Sequence, residues 1–343
     1  MSAVFRKYRF NPDELFGDDY YAVRNFLIKL DSHNYHFGRW DWMITHGYLD
    51  KRGLPEIGIW EDGGEIIALT TYDCGLGKAF LLTSDERRTA GGYRGLREEM
   101  LMYAKGALAK RVAGTGEAAD ASKAGSKTAD ASGSLCEADC KTDGDSFADV
   151  LILDGDLETQ DIAARNGFRS TQDKEWDAVY IIGENAGDCD KIHYKLPDGF
   201  TITSMAETYD LYKYGQVLWK GFNHEAGGQG PFVFKREDLP KWESEFKRPN
   251  CNLDIKIAVA APNGDFVSYC GMWHDAASKS ALVEPVATDP AYRKMGLGRA
   301  AVLEGVRRCG KLGATRAYVG SSQQFYYNIG FRPYATSTWW KYH

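Results

Sequence analysis

The residues best suited to chemistry lie between Val283 and Val302, which read Val-Glu-Pro-Val-Ala-Thr-Asp-Pro-Ala-Tyr-Arg-Lys-Met-Gly-Leu-Gly-Arg-Ala-Ala-Val. The order is a short apolar strand, a turn, and a glycine-rich elbow that opens straight into a helix. Such an elbow gathers unbonded backbone N–H groups at the positive end of a helix, which is how a protein holds phosphate without a dedicated cation. Gly296 and Gly298 let the backbone approach a pyrophosphate closely. Arg293, Lys294 and Arg299 add positive charge at the mouth. The expected chemistry begins with binding a phosphorylated cofactor.

Gly296-x-Gly298-x-x-Ala301 also satisfies the dinucleotide-binding pattern, but that pattern needs an acidic residue roughly 20 positions on to hold a ribose. The chain has Tyr318 and Val319 there. Arg293-x-x-Gly296-x-Gly298 instead closely resembles the acyl-CoA pyrophosphate loop of the GNAT superfamily of N-acyltransferases. A second landmark of that family follows at the required distance, Phe325-Tyr326-Tyr327-Asn328-Ile329-Gly330-Phe331. The resemblance covers about residues 254 to 335. It implies acetyl-CoA as co-substrate, with no metal, and pyrophosphate on the loop Arg293, Lys294, Met295, Gly296, Leu297, Gly298 and Arg299. It further implies that the central strands part near Pro285, so that Val286, Ala287 and Thr288 offer backbone groups to the pantetheine arm. Tyr326 stands where the family keeps its general-acid tyrosine. The asparagine often found before that helix is missing from Gly320-Ser321-Ser322-Gln323-Gln324, and Ser322, or a neighbour, is the candidate to replace it.

Acyl transfer to an amine needs a proton acceptor, because an aliphatic ammonium has a pKa of about 10. It also needs a donor for the departing thiolate, and a phenol such as Tyr326 can serve. Glu284 is the candidate base. It shares a strand face with Val286 if pairing is regular, and a bulge at Pro285 would reverse that. For the acceptor pocket, Trp219, Phe222, Asn223, His224 and Glu225 are candidates from one segment and Trp273, His274 and Asp275 from another. Aromatics with a carboxylate suit a cationic or amphipathic small molecule. Core packing explains the aromatics nearly as well, and histidines of this kind are more often structural than basic.

The elements that must position these residues occur twice. Asp18 to Leu30 and Glu207 to Trp219 read as amphipathic helices. Glu56–Trp60 with Glu65–Tyr72, and Asp254–Ala260 with Asp265–Met272, read as hairpins around Asp62-Gly63-Gly64 and Asn263-Gly264. Arg94 to Ala104 reads as a helix, Ala148 to Leu153 as a buried strand, and Glu158 to Arg165 as a helix ending at Gly167-Phe168, an order repeated between Ala281 and Phe331. Trp176 to Ile182 would be the last strand of the first copy, and Trp339-Trp340 packs a closing strand. The expectation is an α/β fold (an α+β mixed sheet) of two tandem GNAT-like domains, residues 1–183 and 184–343. The first copy is degenerate: its elbow, Thr83 to Arg97, lacks Arg-x-x-Gly-x-Gly, and Ala163 stands where the second has Tyr326. Residues 112–147, rich in Ala, Gly, Ser, Asp and Lys, read as a mobile insertion.

With 343 residues and a formal net charge of −6, two cores of ordinary size are affordable and nucleic acid or an anionic membrane is disfavoured as partner. The seven cysteines lack zinc-ribbon spacing and read as reduced thiols. Together these readings predict a cytoplasmic enzyme, an N-acetyltransferase acting on a small-molecule amine by direct attack. A homodimer is compatible with them. The rival readings are a protein lysine or amino-terminal acetyltransferase, and a CoA-binding sensor without turnover.

Overall fold

The computed structural model describes residues 3–46, 49–84, 95–110, 147–185, 187–248 and 250–343. The expected insertion at 112–147, apart from its last residue, and residues 85–94 of the first elbow lie outside them. Two compact units result.

The first unit runs through β1 (Val4–Lys7), α1 (Asp18–Leu30), α2 (Phe37–Thr45), β2 (Gly58–Asp62), β3 (Glu65–Asp73), β4 (Gly75–Thr83), α3 (Leu96–Ala107), β5 (Asp149–Leu153), α4 (Leu157–Arg165) and the start of β6 (Phe168–Ile181). The second takes the rest of β6, then β7 (Thr201–Ser204), α5 (Leu211–Gly221), α6 (Leu239–Phe246), β8 (Lys256–Ala260), β9 (Phe266–His274), β10 (Ser280–Thr288), α7 (Leu297–Lys311), β11 (Arg316–Val319) and α8 (Gln324–Asn328). The last strand, β12 (Arg332–Tyr342), begins in the second unit and passes at Ala335 into the first.

The two sheets have the same topology. In the first the order is β1-β2-β3-β4-β5-β12, in the second β7-β8-β9-β10-β11-β6. Each is antiparallel through its first four strands, has one parallel neighbour, and closes on an antiparallel strand. The closing strands are exchanged. Residues after Gly167-Phe168 pair with β11 (Val319↔Ala178 to Arg316↔Ile181), and residues after Gly330-Phe331 pair with β5 (Ser337↔Leu153 to Trp340↔Val150). The sequence division at 183 therefore differs from the units: 177–183 cluster with the second and 335–343 with the first. The physical reason is that β6 and β12 are long enough to leave one sheet and finish the other, which local patterning does not reveal. For the same reason the first copy's last strand begins at Phe168 rather than Trp176.

In the second unit β9 is buried at every position because helices cover both faces of the sheet. On one face Ile257, Cys270, Met272 and Val283 pack with Ala301, Val302 and Val306 of α7. On the other Ala258, Phe266 and Tyr269 pack with Tyr214 and Val217 of α5 and Phe246 of α6. The first unit encloses Tyr20, Trp40, Leu69, Tyr72, Phe80 and Trp339.

Candidate active site

The site is built on an interrupted strand. β10 pairs with β11 only from Ser280↔Arg316 to Leu282↔Tyr318. On its other edge the register jumps from Val283↔Met272 to Val286↔Cys270, so Glu284 and Pro285 together face Gly271. This is a β-bulge, and proline, which has no N–H to give a ladder, belongs there. Gly271 makes it possible: a Cβ would fall 2.5 Å from the Glu284 carbonyl oxygen and 2.8 Å from Pro285 Cδ. The Trp273 indole N–H donates to that carbonyl at 2.9 Å. Among the described residues no strand pairs with the β11-facing edge beyond Leu282, so the backbone of Val286, Ala287 and Thr288 borders an opening in the sheet. The bulge also overturns the regular-pairing expectation. Val283 and Val286, three residues apart, both pack against the α7 face, so two-residue spacing no longer gives Glu284 and Val286 a shared face.

The elbow follows at once. Asp289 accepts the Ala291 N–H at 2.9 Å and closes a helical turn over Pro290–Tyr292. Lys294 (φ 64) and Gly296 (φ 84) then take left-handed conformations that swing the chain into α7. No side chain caps α7, and Lys294, Met295, Gly296 and Arg299 are exposed while Leu297 and Gly298 are buried. Orphan N–H groups and the positive helix end thus face outward at the elbow, the arrangement that holds pyrophosphate. Gly298 is needed for packing too: a Cβ would lie 3.0 Å from Thr288 Oγ1 and 3.4 Å from Phe325 Cζ. Arg299 Nη1 donates to the Asn328 carbonyl at 3.4 Å. Arg293, expected on the phosphate, donates instead to the carbonyls of Thr288 (3.2 Å) and Gly221 (2.7 Å) and to Asn223 Oδ1 (2.9 Å).

Tyr326 sits in α8 with its ring 5.0 Å from Phe325 and 5.6 Å from Phe331, and only 5% exposed. Burial, with the nearby Cys270 and Glu284, pushes its phenol well above the ordinary tyrosine range. It therefore stays protonated, as an acid must. Glu284 is itself 7% exposed, and its charge adds to the rise at that phenol. Ser321 accepts the Gln323 N–H at 3.2 Å in the turn before α8, whereas Ser322 is exposed.

Residues 219–331 match the model of the acetyltransferase (GNAT) family. That segment is a GNAT domain. The chain is also similar to a tandem GNAT protein from the clavulanic acid biosynthesis pathway, with TM-score 0.50 and 12% identity over 99% of this chain and 98% of that one. A GCN5-related N-acetyltransferase from Sphaerobacter thermophilus aligns with TM-score 0.47 and 14% identity, over 98% and 94% of the two chains. No curated protein matches the sequence. The fold is that of a tandem GNAT protein, and GNAT proteins use acetyl-CoA as co-substrate.

The residues expected from the sequence to line an acceptor pocket divide. Trp219 and His224 stack at 4.4 Å, and the Trp219 indole donates to the Gly230 carbonyl at 3.0 Å. Phe222 ends α5 half-buried. Burial lowers the His224 pKa, against a hydrogen bond to Gln229 that raises it. Trp273 does not line an open pocket: it is 4% exposed, its N–H is spent on the bulge, and Lys256 Nζ lies 3.4 Å from its ring centre. His274 is structural, with ring nitrogens at the carbonyls of Ser280 (3.0 Å) and Leu312 (3.3 Å). Sequence reasoning passed over Gly271 and Lys256. The one available signal was a lysine heading the apolar run Lys-Ile-Ala-Val-Ala. Lys256 is fully enclosed, donates to the Met272 carbonyl at 2.7 Å, and burial pulls its pKa down to about 8. Ala163 is buried in α4, four residues before Gly167, as Tyr326 is in α8 before Gly330. Among the described residues no group of His, Cys, Asp and Glu could hold a metal ion, and no helix is long and apolar enough to cross a membrane.

Proposed function

We propose that the chain is an acetyl-CoA-dependent N-acetyltransferase acting on a small-molecule amine. The observation that carries the reading is the parting of β10 from β11 at the Glu284–Pro285 bulge, shortly before an uncapped helix end, with Val283, Val286 and Tyr326 packed in one core cluster. The pantetheine arm pairs with the open edge at Val286 to Thr288 as an added strand, and the pyrophosphate rests on the elbow. Glu284, directly or through water, takes the proton of the bound ammonium. The amine nitrogen attacks the thioester carbon, and backbone N–H near Val286 holds the oxyanion. Collapse of the intermediate breaks the C–S bond, Tyr326 protonates the thiolate, the second proton of the attacking nitrogen passes through water to the resulting tyrosinate, and the products are the amide and CoA. Direct attack is favoured over a thiol intermediate because burial raises Cys270 well above the thiol range and Cys309 to about 12.

The test is CoA release from acetyl-CoA across a panel of small amines, a lysine peptide and an amino-terminal peptide. Turnover confined to small amines is the expected result. Turnover of a peptide alone would move the assignment to protein acetylation, and acetyl-CoA binding with no turnover would make the chain a sensor.

A further inference from the structure

Arg293 lies in the phosphate-binding stretch, yet its guanidinium makes three directed bonds elsewhere. We propose that Arg293 is a positioning residue: it latches the loop 222–230 to the strand that carries the cofactor, and so sets acceptor affinity. The proposal rests on the acetyltransferase reading above.

Helix α5 ends at Gly221, where carbonyls lack intrahelical partners and the helix dipole is negative. Arg293 Nη2 binds the Gly221 carbonyl at 2.7 Å and Asn223 Oδ1 at 2.9 Å, while Nε binds the Thr288 carbonyl at 3.2 Å. One planar fork thus joins the end of α5, the first turn of the loop and the open end of β10. Turning Nε and Nη2 toward a pyrophosphate would break all three bonds, because a guanidinium's donors are fixed in one plane. Two further contacts place the same junction. Lys220 pairs with Asp289 at 3.3 Å, and Gly221 lies so close to β10 that a Cβ would come within 2.6 Å of Ala287 Cβ and 2.8 Å of the Thr288 nitrogen. The loop's far end is held by the Trp219 indole on the Gly230 carbonyl. The loop bearing His224 is therefore fixed at both ends, and the near end is beside the strand segment offered to the pantetheine arm.

The experiment uses the full chain with Arg293→Gln, Arg293→Lys, Asn223→Gly and Asn223→Asp. Glycine at 223 keeps the left-handed backbone (φ 62) accessible, and aspartate keeps an acceptor for the guanidinium. For Arg293→Gln the latch predicts acetyl-CoA affinity within about threefold of wild type by calorimetry, a KM for the panel's best amine raised about tenfold or more, and kcat within about threefold. Amide exchange over residues 222–230 should quicken about tenfold. Arg293→Lys and Asn223→Gly should shift KM the same way, and loop exchange should quicken less in Asn223→Asp, which keeps an acceptor for the guanidinium, than in Asn223→Gly. Acetyl-CoA affinity falling about tenfold in Arg293→Gln, with amine KM and loop exchange unchanged, would make Arg293 a phosphate ligand and overturn the proposal. Should wild type turn over no amine, the acetyltransferase reading fails, and the exchange measurement alone decides whether the latch exists.

Discussion

At the scale of single residues, burial moves two ionisable groups in ways that experiments can read. Tyr326 is raised by burial first and by Cys270 and Glu284 next, so its protonated form persists to higher pH than a free phenol's. The alkaline limb of the kcat profile caused by this acid should therefore lie above the ordinary tyrosine pKa of about 10. Tyr326→Phe should leave acetyl-CoA affinity nearly unchanged and lower kcat by roughly 10²–10⁴, the usual worth of a positioned general acid. Wild-type turnover in that variant would assign the proton to another donor. Lys256 is the opposite case: burial lowers it to about 8, so between that value and its unfolded pKa the folded chain binds fewer protons than the unfolded one. Stability carried by this group should rise as pH climbs through that window. Lys256→Met should then stabilise the protein by about 1–3 kcal/mol at pH 7 in denaturant titrations, with the gain shrinking toward pH 10. A gain independent of pH would show that packing, not charge, is responsible.

At the scale of elements, one glycine leaves room for the bulge beside the opening in the sheet. Gly271→Ala would push a methyl against the backbone of Glu284 and against Pro285, and backbone yields less readily than a flexible side chain. The variant should lose about 2–4 kcal/mol of stability, read by urea unfolding, and its acetyl-CoA affinity should fall with the bulge geometry. Gly298→Val tests the elbow. Its side chain would meet Thr288 Oγ1 and Phe325 and intrude on the phosphate approach, so acetyl-CoA should bind at least about tenfold more weakly in calorimetry. Unchanged affinity would remove the elbow from the cofactor site.

At the scale of the whole molecule, the exchanged strands make the last residues a structural part of the first unit. Trp339 is buried against Phe80, its indole N–H donates to Glu175 at 3.0 Å, and Asp154 accepts from both Thr336 and Thr338 at 2.6 Å. Removing residues 335–343 should strip amide protection from β5 while β8 and β9 keep theirs, as read by hydrogen exchange. Equal protection in β5 with and without the segment would show that β12 is dispensable to that sheet.

The sequence by itself determined the elbow, because Arg-x-x-Gly-x-Gly after an apolar strand is a local instruction: glycine for the turn, free N–H groups beyond it. Local rules also carried both hairpins, α1, α4 and the paired Gly-Phe turns, and they placed Tyr326 in the second copy opposite Ala163 in the first. Three features waited on tertiary structure. Whether Pro285 made a bulge depended on Gly271, a residue of the neighbouring strand. From the sequence Arg293 reads as a pyrophosphate contact, and only the packing of α5 brings a carbonyl and an amide within reach of its fork. The closing strands could not be assigned to a sheet, since β pairing is set by partners far away in sequence, and nothing in residues 168–181 or 332–342 names the edge they join.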